Sequence, residues 1–233
     1  PLRIATHNVE GFTPDNIPAL LHLWHAADLD IVCVQETWAG RPGHASRVFS
    51  EADLDLTFRH AARAVHTHPY TIFWASNTRH VDGNNGTAIL VRTPTPGLTT
   101  SSPTSSPCGR LQTLSISWAG HSFTLINSYW PCRGPAPRST FLTDTLSPAL
   151  QHAPHPCLLL GDFNFTPTSL LDRHPPPPSS TANSDAATAF LLSTLLPDHR
   201  DAYRLQHPVA KSFTFHSLAG QLARLDRLLF PPS

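Results

Sequence analysis

The chain of 233 residues has no methionine, not even at position 1. The sequence is therefore expected to be a domain drawn from a longer polypeptide. Charge is scarce as well: 14% of residues are charged, and 16 Lys and Arg balance 16 Asp and Glu. That balance excludes the strong basic field by which many nucleic-acid binders announce themselves. The four cysteines, Cys33, Cys108, Cys132 and Cys157, include no C-x-x-C pair. Their spacing argues against a zinc site and mildly for reduced thiols in an intracellular compartment. No apolar run approaches the ~18 residues of a membrane-spanning helix, and no secretory segment opens the chain. A soluble protein with no membrane partner is expected.

What is present is enough for one large domain, since 40% of the residues are hydrophobic. Hydrophobic periodicity predicts strands at Leu2–Val9, Ile31–Val34, Tyr70–Ala75, Thr87–Val91, Leu111–Trp118, Ser122–Tyr129, Leu158–Asp162, Ser212–Phe215 and Arg224–Phe230. Helices are expected over 17–27, 139–151 and 185–196, with surface loops at 93–109 and 174–184, where Pro, Ser and Thr accumulate. Two packed sheets flanked by helices follow, in one compact α/β domain spanning residues 1–233.

The chemistry collects where apolar strands stop. Leu158-Leu159-Leu160 runs into Gly161-Asp162-Phe163-Asn164, and strand alternation places Asp162 and Asn164 on one face. Taken alone, this motif reads equally well as a strand followed by an Asx-type turn. Three more strands end the same way, on Asn8 and Glu10, on Glu36, and on Asp226. Four such ends favour a shared site, because like carboxylates at one rim repel unless a cation holds them. An oxygen-rich set favours Mg²⁺, with Mn²⁺ as substitute, over zinc. Such an ion suits phosphoester hydrolysis, with a carboxylate serving the attacking water.

Asn8-Val9-Glu10-Gly11, Gln35-Glu36-Thr37, Asn127-Ser128-Tyr129, Gly161-Asp162-Phe163-Asn164 and Arg224-Leu225-Asp226 resemble, in order and spacing, the motifs of the endonuclease/exonuclease/phosphatase superfamily. The resemblance runs from residue 3 to 230 and implies a four-layer, DNase I-like α/β sandwich. Subsidiary segments, among them 86–91, 162–173, 201–204 and 212–215, are similar to the endonuclease domain of LINE-type non-LTR retrotransposons. The resemblance implies metal binding at Glu36, with Asn8 and Glu10 beside it, although the family usually carries Asp where Glu10 stands. It implies a phosphate contact for Tyr129, a water-activating role for Asp162, and a water- or phosphate-holding carboxamide in Asn164. Asp226 resembles the aspartate that orients a catalytic histidine, and Thr214 falls where family members touch DNA.

The Ser-Asp-His segment that follows this aspartate in the family has no counterpart here. Truncation is the preferred explanation and degeneration the alternative. Arg224 and Asn85 are further candidates for DNA contact. For Arg224, as for Arg133, Arg138, Arg173 and Arg204, solvated surface is the default, and for Asn84-Asn85 a simple turn. The resemblance thus implies a Mg²⁺-dependent endonuclease acting on double-stranded DNA inside the nucleus, monomeric as a domain. The nick would leave a 3′-hydroxyl for a reverse transcriptase domain of the same polypeptide. The rivals are a phosphomonoesterase of the same superfamily and a catalytically impaired DNA-binding remnant.

Overall fold

The computed structural model describes residues 1–39, 49–77, 86–101, 103–132, 134–154 and 156–232. Its first half runs β1 (Ile4–Asn8), α1 (Ile17–Ala26), β2 (Ile31–Gln35), α2 (Glu51–Ala64), β3 (Tyr70–Ala75) and β4 (Thr87–Arg92). These strands form one sheet in the order β1-β2-β4-β3, with β1 and β2 parallel and the other pairs antiparallel. Alternation along β2 divides its side chains cleanly. Val32 and Val34 face Ile17, Leu21, Trp24, Leu54 and Phe58 of α1 and α2, whereas Ile31 and Cys33 face the second sheet.

Helix α2 was absent from the sequence reading. Its signals were nevertheless there: Ser50 and Asp53 form a reciprocal capping box, and Leu54, Phe58, Ala61 and Ala62 recur at helical spacing on its buried face.

The chain continues through β5 (Leu98–Thr100), β6 (Thr104–Ser105), β7 (Leu111–Trp118), β8 (His121–Tyr129), α3 (Pro135–Phe141), a π-helical turn (Leu142–Leu146), α4 (Ser147–His152) and β9 (Cys157–Asp162). The short elements α5 (Ser169–Asp172) and β10 (Arg173–His174) precede α6 (Ser179–Leu195), β11 (Arg200–Asp201) and α7 (Ala202–Gln206). Strands β12 (Phe215–His216), β13 (Leu222–Ala223) and β14 (Asp226–Phe230) complete the chain. The second sheet is ordered β11-β14-β9-β8-β7-β5, with β6 beside β7, and β10, β13 and β12 make a small third sheet.

The layers are set by three apolar clusters. Ile31, Cys33, Ile89 and Val91 meet Leu114, Ile116, Leu125 and Leu160 between the two large sheets. On the far side of the second sheet, Ile126 and Leu159 pack against Phe141, Leu146, Leu150 and Leu192 of the helices. Helix, sheet, sheet, helix is the four-layer sandwich expected from the sequence.

Several local expectations are corrected. The 93–109 loop carries β5 and β6, which pair with β7. Residues 179–184, expected in a loop, already belong to α6, because the proline run ends at Pro178 and the helix starts on the next residue. The single helix over 139–151 is three helical pieces, and the predicted strands at 212–215 and 224–230 shrink to Phe215–His216 and Asp226–Phe230.

Candidate active site at the strand ends

Asn8 ends β1, Glu36 follows β2, Tyr129 ends β8 and Asp162 ends β9. All four ends open on the same rim of the sandwich. Asn8 Nδ2 donates to Glu36 Oε1 at 2.9 Å and to Asp162 Oδ2 at 3.0 Å, joining carboxylates that belong to different sheets. The hydroxyl of Tyr129 donates to the same Glu36 Oε1 at 2.7 Å. Beneath them Gln35 Nε2 donates to Asn127 Oδ1 at 2.7 Å, and Asn127 Nδ2 donates to the carbonyls of Val34 and Ala88. These buried carboxamides lock the two sheets in register under the rim. The sequence reading passed over their role, although a carboxamide inside an apolar strand is a legible signal.

Close approach of β8 and β9 depends on Gly161. Its φ is +142°, and a Cβ there would lie 1.8 Å from the Ser128 carbonyl oxygen. Only glycine lets Asp162 sit opposite Tyr129 in the parallel pair. Left-handed non-glycine backbone also collects at this rim, at Glu10, Glu36, Trp38 and Asn164. Such conformations persist only where surrounding structure enforces them, and they gather at functional sites.

Asp162 and Asn164 meet by a route other than strand alternation. The strand ends at Asp162, and Asn164 turns back at φ +50° so that its N–H donates to Asp162 Oδ1 at 2.9 Å. Asn164 Nδ2 donates to the Trp130 carbonyl at 2.9 Å. The Asx turn and the site are therefore the same structure. Trp130 itself is fully buried and stacks on Phe163.

Asp162 is 4% exposed. Burial raises its pKa, while the donors from Asn8 and Asn164 pull it back. Asp226 lies directly opposite Asp162 in the β9–β14 ladder. Burial, and then the neighbouring Asp162 charge, push its pKa up to about 7. Its Oδ1 is buried and has no hydrogen-bond partner among the described residues. Burial, followed by the bond to Glu36, pushes the Tyr129 hydroxyl far up, so it remains a donor at any physiological pH.

The residues fit a hard divalent cation. Glu36 uses Oε1 for both of its hydrogen bonds, so Oε2 is left to coordinate. Among the described residues no three Asp, Glu, His or Cys side chains converge into a complete metal cage. Mg²⁺ needs none: it keeps several waters and takes one or two carboxylates plus substrate phosphates. Glu10 is exposed, makes no side-chain hydrogen bond among the described residues, and donates its N–H to Asn8 Oδ1 at 3.1 Å.

The DNA candidates fare differently. Thr214 is exposed, and its Oγ1 accepts from the N–H groups of Leu225 and Asp226, which places it beside the site. Asn85 and Arg133 lie outside the described residues. Arg224 is corrected: it is 2% exposed, and all three guanidinium nitrogens are taken by Asp172 and Asp201. Arg138, Arg173 and Arg204 are likewise paired, with Asp185 or Asp172. Their partners lie 12 to 47 residues away in sequence, so no local signal gave them away.

The chain belongs to the endonuclease/exonuclease/phosphatase family, whose model matches residues 5–233. That places it among hydrolytic nucleases and phosphatases. Among solved structures, it is similar to an AP endonuclease from Leishmania major, with 17% identity, a TM-score of 0.72, and coverage of 99% of this chain and 79% of the other. An AP endonuclease from Archaeoglobus fulgidus shares 19% identity at a TM-score of 0.67, covering 100% and 87%. The endonuclease domain of TRAS1, a telomere-specific non-LTR retrotransposon, shares 14% identity at a TM-score of 0.60, covering 99% and 85%. No curated protein matches the chain.

Proposed function

We propose that the chain is a Mg²⁺-dependent DNA endonuclease that nicks one strand and leaves a 3′-hydroxyl. The observation that carries this reading is the single carboxamide of Asn8 bridging Glu36 and Asp162 at the open rim. Glu36 would hold the ion, with Asn8 and Glu10 beside it, and Mn²⁺ would substitute. When bound, the ion would supply Lewis-acid polarisation of a phosphate oxygen and offset the rim's negative charge. Asp162 accepts a proton from the attacking water on its carboxylate, oriented by Asn8 and by the Asn164 N–H. Burial raises its basicity towards the range useful for that task. In this reading the Tyr129 hydroxyl would turn its proton from Glu36 to the scissile phosphate, and Asn164 Oδ1 would hold the water.

The substrate in this reading is double-stranded DNA, met in the nucleus, with Thr214 at its edge. Likeness of the sequence segments and of the fold to retrotransposon endonucleases supports a nick used for target-primed reverse transcription by a reverse transcriptase of the same polypeptide. Incubation of supercoiled plasmid with the protein and Mg²⁺ should give open circles whose nicks a DNA polymerase extends directly. Asp162→Ala should abolish the conversion, and retained nicking would remove Asp162 from this role. Phosphate release from inositol phosphates with intact plasmid would instead establish a phosphomonoesterase.

One observation favours a second reading. Among the described residues no group bonds the buried Asp226 Oδ1, which suits a domain that binds DNA without cutting it. Mobility-shift binding without any nicking would favour that reading.

A further inference from the structure

Beneath the rim, the Asp162–Asn164 turn rests on one guanidinium. Arg138, on α3, is 6% exposed. Its Nε donates to the Pro131 carbonyl at 3.2 Å, its NH2 to the Asn164 carbonyl, and its NH1 to Asp185 Oδ1 at 2.8 Å. Pro131 stands two residues beyond Tyr129, and Asn164 two residues beyond Asp162. One planar fork therefore ties together the two chain segments that leave β8 and β9 at the site. Asp185, 1% exposed on α6, holds that fork and uses Oδ2 to accept from the N–H and the hydroxyl of Thr166, both at 3.0 Å.

Asn164 is thereby held at every polar backbone atom: its N–H on Asp162, its C=O on Arg138, and its side chain on the Trp130 carbonyl. This matters because the residue is left-handed and, among the described residues, its N–H and Asn8 are the two groups that orient Asp162. The Asn164 carbonyl belongs to the peptide plane that follows the residue and its N–H to the plane that precedes it, so Arg138 and Asp162 Oδ1 together pin the left-handed turn from both sides.

We infer that Arg138, anchored by Asp185, is a positioning residue that sets the Asp162–Asn164 turn in its working geometry from the helical side of the sheet. This rests on the nuclease reading for its effect on rate, but not for its effect on the turn. Arg138 touches no substrate in this role. Lysine cannot replace it, since a single ammonium cannot reach three acceptors arranged in a plane.

The experiment uses Arg138→Lys, Arg138→Ala and Asp185→Asn in the full chain. In Arg138→Lys, kcat for plasmid nicking should fall roughly 100-fold, as expected for a displacement near 1 Å, while KM for DNA stays within about threefold because phosphate contacts are untouched. Added guanidinium ion should restore part of the Arg138→Ala rate. Amide hydrogen exchange read by NMR provides the arm that is independent of activity. The Asn164 N–H should exchange faster in Arg138→Lys and Asp185→Asn at temperatures where circular dichroism shows the fold intact.

Unchanged Asn164 exchange would overturn the inference. So would a kcat loss that vanishes on cooling in step with recovered stability, which is the mark of a merely structural pair. If wild-type protein nicks nothing, the nuclease reading fails while the exchange result still decides the inference.

Discussion

Two groups of acidic side chains are treated oppositely. Asp172, Asp185 and Asp201 sit below the rim, and each is ion-paired with arginine. Glu36, Asp162 and Asp226 sit at the rim, and no Lys or Arg pairs with them among the described residues. Their hydrogen bonds come from neutral donors, from Asn8, Tyr129 and the Asn164 N–H, and Asp226 Oδ1 has none. A buried carboxylate is tolerable when a guanidinium answers it, and costly when nothing does. The difference teaches which acids hold the fold together and which are kept waiting for a cation or a proton.

The contrast can be broken at either end. Asp162→Asn should lower the nicking rate by about 10²–10⁴-fold, the range of a general base, while Tm holds or rises because an unanswered buried charge is gone. Plasmid nicking alongside calorimetry checks both halves, and a large fall in Tm would erase the distinction. Asp185→Ala should do the reverse to stability, costing about 3–5 kcal/mol by stranding Arg138 in the interior. Urea unfolding measures it, and a loss below about 1 kcal/mol would show that the pair is dispensable.

Metal addition sharpens the comparison further. At a hundredfold excess over Kd, Mg²⁺ should stabilise the protein by about 2.7 kcal/mol, and Glu36→Gln should abolish most of that rise. An equal rise in both proteins would place the ion elsewhere.

Asp226→Asn tests the same contrast through pH. A carboxyl whose folded pKa lies near 7, against an ordinary value of 3.8, favours the folded state while protonated. Its contribution is fully present below about pH 4 and is lost as the pH rises through 7. The asparagine variant should therefore match wild type in acid and exceed it in Tm at pH 8. A Tm difference independent of pH would remove Asp226 from the coupled pair.

Much of this was legible in the sequence because the signals are local. An apolar run that stops on a polar group shows in a handful of residues, and Asn8, Glu36, Tyr129 and Asp162 each stand at such a strand end. The structure brings them to one rim. Helix α2, not expected from the sequence, carries equally local signals in its capping box and apolar stripe. The arginines are another matter. Arg224 looked like a surface cation because nothing near it in sequence is acidic except Asp226, while its true partners, Asp172 and Asp201, are 52 and 23 residues away.

By itself the sequence determined which strands end on chemistry-bearing residues, since the alternation of apolar and polar side chains is written along the chain. Tertiary structure alone decided which of those charges are answered. Pairing depends on distances across sheets and helices, and the same carboxylate becomes a structural anchor or a reactive group according to whether folding brings a guanidinium to it.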